Sequence, residues 1–507
     1  MRILTALRTV VKLLHRRSQS LPNWMRQHSL GVSGVSSAHP QGATLPRDLR
    51  GSLPLYAGTL TRQANRRPSQ SKESTQMEDF ALLRRHLLKG MGSAAALAAF
   101  SAAPVASANV RAEPPTGALH VRDFGAKGDG KSDDTAAFQK AIDAAHEMGG
   151  NLVFVPRGDY LIAGNLEVRE HVVLEGVFRG PTHGSQQRGS TLLAVAGKDQ
   201  PEGTPFLTLR QNATLHGITI FYPEQIQKDP PIPYPWTIRG IGDNCTLVDV
   251  LLVNPYQGID FGTFPAGRHF VRNVGMQALY RGIYIDQCYD IGRVENLHIW
   301  PFWEVWQTPL KQFMVREGIA FIIGRTDWEY MSNCFCIGYK IGFQFIRTQA
   351  GTPNALLTQC GSDVGPIAVR VEQVMEHAGV SFVNGQFMAG IEIEETNRGP
   401  VKFTACGFWG VDTTESHVVL KGRGHTFFDG CHFNGWDRKG TGAPCIDAQR
   451  GGLTVVGCDF MDRGKTHIRL GADIDAAVIL GNRFRGQEGI VNEAAEKAQI
   501  GMNVVTP

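Results

Sequence analysis

Arg325, Asp327 and Glu329 alternate with Thr326, Trp328 and Tyr330 in the stretch RTDWEY. In an extended strand, residues two apart project from one face, so the spacing predicts two carboxylates and a guanidinium side by side. Side chains so placed lie about 6.5 to 7 Å apart, the separation at which an acid and a base can flank a water and hydrolyse a glycosidic bond with inversion. The same trio would equally hold a cation, Ca2+ among them, or close into an ion pair on Arg325. Trp300, Trp303 and Trp306, in a strongly aromatic insertion just upstream, join Trp328 and Tyr330 as flat rings able to stack on sugar faces. A hydrophobic plug or a subunit contact would account for the insertion as well.

Two repeats indicate the elements that must carry these residues. One has the form apolar-x-x-Cys/Asn-x-Phe and places Cys406, Cys431, Cys458 and Asn482 at steps of 25, 27 and 24 residues. The other, Gly-Ile-x-apolar, begins at Gly258, Gly282, Gly318, Gly342, Pro366 and Gly390, with steps of 24, 36, 24, 24 and 24. A period of about 24 residues built from short strands and turns is one coil of a parallel β-solenoid, whose strands stack about 4.8 Å apart around an interior of Ile, Val, Phe, Cys and Asn. The third residue of the second repeat is expected to face outward, giving the column Asp260, Tyr284, Ala320, Gln344, Ala368 and Glu392. Asp260 and Tyr284, on adjacent coils, are further candidates for catalysis. The period is broken at 222–236 and again by the 36-residue step that holds 298–315, so these insertions are expected to wall a cleft.

Residues 119–162 read as strand, glycine turn, amphipathic helix and strand. Asp133, Asp134 and Thr135 offer N-cap chemistry, and Ala137, Phe138, Ala141, Ile142 and Ala145 share a helical face before Gly149-Gly150. An open solenoid end needs such a cover. DFGAKGDGKSDDTAAFQKAI followed by GGNLVFVPRGDYLI resembles the N-terminal signature of the rhamnogalacturonase/epimerase-like branch of the pectate lyase superfamily, over about a tenth of the chain. The resemblance implies an all-β solenoid, a single-stranded right-handed parallel β-helix with an N-terminal capping helix. It carries no reaction with it. The polygalacturonase constellation is missing, with only Gly422 to His425 as a fragment, and no calcium cluster of the pectate lyase kind is recognisable.

Charge is divided unevenly. Residues 1–108 hold 15 Lys/Arg against 4 Asp/Glu, leaving 36 against 43, a net −7, for 109–507. Nucleic acid is therefore not an expected partner. Arg84-Arg85, the small apolar run 91–105 and Ala106-Ser107-Ala108 resemble a twin-arginine export signal over 77–108, too short for a stable membrane span. Residues 1–76 are expected to be disordered or an upstream extension, and 109–507 to form the β-helix domain. The expected destination is the periplasm or the exterior of a bacterium. The nine cysteines lack CxxC spacing, and Cys406, Cys431 and Cys458 are read as an inward ladder, with no metal assigned.

The leading expectation is an exported enzyme that cleaves a polysaccharide or oligosaccharide. Hydrolysis or transfer would use Asp327 and Glu329; β-elimination would use Tyr284, Tyr330 or Arg325, with a cation or Arg against the sugar carboxylate. The alternative is a non-catalytic glycan-binding or adhesion module resembling tailspikes. A third reading is a homotrimer with a shared site, as in the similar inulin fructotransferases.

Overall fold

A computed structural model describes residues 117–179, 189–300 and 309–507. The leader, the segment before it, Trp303 and Trp306 thus lie outside the described residues. The chain is a parallel β-solenoid of about 14 turns, each full turn laying short strands on three sheets. The first sheet stacks residues 270–272, 293–295, Thr326–Ser332 and Pro353–Thr358, and the second stacks 274–276, 298–299, Phe335–Ile337 and Gly361–Asp363. The third sheet stacks Trp236–Gly240, Gln257–Phe261, Arg281–Ile285, Ile319–Ile323, Ile341–Phe345 and Ile367–Val371.

One left-handed residue per coil turns the corner from the first sheet to the second: Asn273, Asn296, Asn333, Gln359, Asn384 and Ala405, then Gly430, Gly457 and Gly481, with Asn and Gly at all but two. Asn and Gly are the residues that enter this region at least cost. The Cys or Asn that follows is carried inward; Cys334, Cys406, Cys431, Cys458 and Asn482 are all buried, and the cysteines are free. Asn273 and Asn296 precede the inward position, which Val274 and Leu297 fill. They sit at the corner, where the Asn296 amide donates to the Asn273 side-chain oxygen at 3.0 Å.

The phenylalanines of the repeat stack along the solenoid axis because the rungs approach at ring-stacking distance. Phe382, Phe403 and Phe428 are 5.1 and 5.2 Å apart by centroid, and Phe408, Phe433 and Phe460 are 4.7 and 4.8 Å apart. At the N-terminal end, helix α1 (Thr135–Glu147) buries Ala137, Phe138, Ala141, Ile142 and Ala145. Its Asp134 carboxylate accepts the Lys127 and Gly128 N–H groups at 2.7 and 3.0 Å. Gly128 has φ +63°, and a Cβ there would lie 2.8 Å from the Tyr160 ring, so the turn requires glycine.

The Gly-Ile-x-apolar repeat slips twice. Ile283 pairs with Phe321 and Phe343 with Val369, so Ala320 and Ala368 fall opposite glycines of neighbouring coils and are buried. The outward column is Asp260, Tyr284, Ile322, Gln344, Arg370 and Glu392. The coils approach closely here, since a Cβ on Gly282 would stand 2.2 Å from the Ala320 carbonyl, so position 282 requires glycine.

Deeper in the solenoid, His417 is sealed beside Phe408, Phe433 and Trp436. Its Nε2–H donates to the Asn434 carbonyl at 2.9 Å, and its Nδ1 is buried without a partner. Burial therefore lowers its pKa from 6.5 to about 4. The unfolded chain takes up this proton below pH 6.5 while the folded chain does not, so stability falls as pH drops through that window. At 1.36 kcal/mol per unit, the loss attributable to His417 should reach about 3 kcal/mol near pH 4. Urea unfolding of the wild type and His417→Gln at pH 7 and pH 4.5 measures it as a difference, and an equal pH slope in both proteins would remove His417 as its source.

Candidate functional site

The outer face of the third sheet lies between two differently built edges. Both period breaks fall on the edge where the second sheet passes to the third: 222–235 leads into Trp236–Gly240, and the other break ends in helix α2 (Pro309–Glu317) before Ile319–Ile323. The insertions meet there. The Arg316 guanidinium donates to both Asp229 oxygens at 2.8 and 3.0 Å, and Phe313 packs 6.4 and 6.2 Å from the stacked Tyr256 and Tyr280 rings. Trp300 stands edge-on to His298 at 5.6 Å, on the second-sheet side of this edge.

The opposite edge, where the third sheet passes to the first, holds a groove of about 520 Å³ lined by Gly262, Thr263, Tyr284, Asp286, Gln287, Tyr289 and residues 348–350. Asp260 and Tyr284 face each other on adjacent coils, as the repeat predicts. Asp260 is fully buried: its Oδ1 accepts the Gly262 and Thr263 N–H groups at 3.0 and 2.8 Å, and its Oδ2 accepts Arg239 Nε–H. Its carboxylate shapes the groove's end rather than facing a substrate. Tyr284 is half-buried, stacked 6.4 Å from Trp236, with its hydroxyl donating to Asp286 Oδ2 at 3.0 Å. Asp286 Oδ1 also accepts the Arg325 N–H at 2.6 Å and the Thr348 hydroxyl at 3.0 Å. Burial, and then the neighbouring Asp286 charge, push the Tyr284 phenol well above its ordinary pKa. It is a proton donor at neutral pH.

Arg325 packs beside the groove against its lining residues Tyr289 and Asp286. Its guanidinium lies over the Tyr289 ring, 5.5 Å from the centroid, and closes on Asp327 with bonds of 2.7 and 3.1 Å. The expected row of Arg325, Asp327 and Glu329 is broken after its second member. The register of this strand on Pro353–Thr358 shifts between Thr326 and Glu329, and Trp328 takes φ +61°. This left-handed step rotates the chain, so Asp327 stays outside while Glu329 is turned into the interior and fully buried against His269. The two cannot flank one water or share one cation. Trp328 and Tyr330 remain exposed, at 54% and 41%. They belong to the first-sheet strand, and neither lines the groove.

Sequence reading missed Asp286, Tyr289, Arg239 and Thr348. Asp286 carried a usable signal, since it follows Tyr284 by two residues on the same strand edge; Thr348 comes from a turn whose position only the coil stacking determines.

The model of rhamnogalacturonase A/epimerase, pectate lyase-like proteins matches residues 118–204. Alginate lyase 7 of Azotobacter vinelandii is 47% identical over 70 residues, 12% of this chain and 8% of that protein. Mannuronan C5-epimerase AlgE3 of the same organism is 47% identical over 71 residues, 13% of this chain and 4% of that protein. Plasmin and fibronectin-binding protein A of Streptococcus pneumoniae is 48% identical over 59 residues, 11% of this chain and 8% of that protein. These relatives are thus matched over less than a tenth of their own length. Among solved structures, a tailspike protein mutant of E. coli bacteriophage HK620 in complex with a hexasaccharide aligns with TM-score 0.52 and 11% identity, covering 76% of this chain and 80% of that one. Pre-mature bacteriophage phi29 gene product 12 aligns with TM-score 0.54 and 14% identity, covering 76% and 55%. The chain is a parallel β-solenoid whose residues 118–204 are similar to the pectate lyase-like family. Its relatives carry names of a lyase, an epimerase and a binding protein, so the shared stretch marks the fold and leaves the reaction to the groove.

Proposed function

We propose that this chain is a carbohydrate-active enzyme that cleaves a polysaccharide or oligosaccharide along the third sheet, by β-elimination at a uronate unit. The observation that carries this reading is the Tyr284–Asp286 pair in the groove, beside the Arg325–Asp327 ion pair. A phenol kept protonated is an acid suited to a leaving oxygen. Arg325 would take the sugar carboxylate in the two-pronged manner it now uses on Asp327. Asp327, so released, would take the proton from the carbon beside that carboxylate. The C–H electron pair then becomes the double bond, the C–O bond breaks, and the oxygen leaves with the Tyr284 proton. The absence of an Asp327–Glu329 pair favours this over two-carboxylate hydrolysis, and the relative named an alginate lyase supports the choice. Export through the leader-like 77–108 segment and a homotrimeric assembly belong to the proposal as well.

The deciding experiment incubates the full chain with a panel of acidic and neutral glycans and analyses the products by mass and ultraviolet absorbance. Unsaturated fragments from a uronate-containing glycan are expected. Reducing-end release with no unsaturated product would overturn elimination. Binding without any product would favour the second reading, a glycan-binding module, which draws its support from the closed Arg325–Asp327 pair.

A further inference from the structure

We propose that His269, Cys288 and Glu329 form a binding site for a divalent transition-metal ion of the zinc class, inside the coils behind the groove. All three are buried, and one ligand atom from each lies within 4.8 Å of the other two. Imidazole, thiol and carboxylate together form a borderline-soft donor set that suits Zn2+ and its neighbours; Ca2+ prefers an all-oxygen cage. His269 Nδ1–H donates to the Ala266 carbonyl at 2.9 Å, which aims Nε2 at Glu329 Oε1, 3.0 Å away. A backbone carbonyl on the far nitrogen is the usual way in which a protein fixes a ligating histidine.

A second observation also points to a ligand. Glu329 Oε2 is buried and has no hydrogen-bond partner, an arrangement that costs free energy unless something accepts its lone pairs. Glycine is required beside it, which lets the two ligand side chains converge. His269 and Glu329 precede the in-register residues Phe270 and Tyr330, and Gly292 precedes Arg293 on the coil between them. A Cβ on Gly292 would stand 2.2 Å from Glu329 Oε2 and 2.4 Å from His269 Cε1.

Without metal, His269 Nε2 faces Glu329 Oε1 and the Cys288 thiol donates to the Asp290 carbonyl at 2.7 Å. With a divalent ion, the thiol proton and any proton on Nε2 leave for solvent, and the two positive charges of the metal offset the thiolate and the carboxylate. The loaded site thus carries no net charge, as burial requires. CxxC spacing could not announce the site, because its ligands come from successive coils. Cys288 and Glu329 are two residues from Asp286 and Asp327, so a bound ion would fix the backbone next to the Tyr284–Asp286 and Arg325–Asp327 pairs.

The test grows cells expressing the full chain in zinc- or cobalt-supplemented medium, so that metal is present during folding. Elemental analysis should find about one zinc per chain, and the cobalt protein should show tetrahedral d–d bands with a thiolate-to-cobalt charge-transfer band. Cys288→Ser should abolish the charge-transfer band, and Glu329→Gln should lower metal content at least tenfold, while Cys458→Ser changes neither. Less than a tenth of an equivalent of metal in the wild type, with no cobalt band, overturns the proposal without reference to any variant. So does a charge-transfer band that persists in Cys288→Ser.

Discussion

Tyr284→Phe is expected to lower kcat on the cleaved glycan by about two to four orders of magnitude, the usual worth of a positioned general acid, while KM changes less than threefold. The substitution removes one oxygen and leaves the ring on Trp236, so stacking on that side of the groove is retained. Asp286 keeps its bonds from the Arg325 N–H and the Thr348 hydroxyl, so the turn at 286–290 should hold its shape. The loss is then confined to the proton given to the leaving oxygen. A substrate bearing a leaving group that needs no protonation should recover most of the rate in the variant. That rescue separates an acid from a residue that merely braces the groove. Tyr289→Phe is the control, because the Arg325 guanidinium lies over its ring, and its effect should stay within a few-fold. Equal kcat for Tyr284→Phe and the wild type would remove Tyr284 from the chemistry and strengthen the glycan-binding reading.

The parts of the molecule legible in the sequence are those set by repetition. A 24-residue step recurs because each coil meets only its neighbours, so the same corner, the same inward Cys and the same stacked Phe are selected each time. Asp260 opposite Tyr284 could be read from that step alone. The errors arose where one residue departs from the periodic path. Trp328 carries no turn signal of its own, yet its left-handed backbone sends Glu329 inward. Ala320 and Ala368 kept the motif's spelling while slipping two residues in register, so the motif alone placed them on the wrong face. Thr348 and Tyr289 reach the groove from turns, and His269 meets Glu329 across 60 residues of sequence. No local pattern encodes such meetings.

The burial of Glu329 also separates a structural role from the catalytic one its spacing suggested. Glu329→Ala should destabilise the surrounding coils by about 3–5 kcal/mol, because removing one partner of a buried pair strands the other's charge. Asp327→Ala breaks a partly exposed ion pair and should cost under about 1 kcal/mol. A solenoid is held together by nearest-neighbour contacts, so the damage from Glu329→Ala should be local. Amide hydrogen exchange reads it: protection should fall by about two orders of magnitude or more in Phe270–Met276, Arg293–Ile299 and Thr326–Ser332. Val401–Thr404 and His425–Asp429, several coils away, should keep theirs. The double variant His269→Leu/Glu329→Leu removes both charges together and should recover much of the lost protection, as apolar replacement of a whole buried pair commonly does. Failure of that recovery would mean that Glu329 contributes something a hydrophobic pair cannot replace, and ligation of a metal is the candidate contribution. An unchanged exchange pattern in Glu329→Ala would instead return Glu329 to the surface and to the catalytic role that its strand spacing implies.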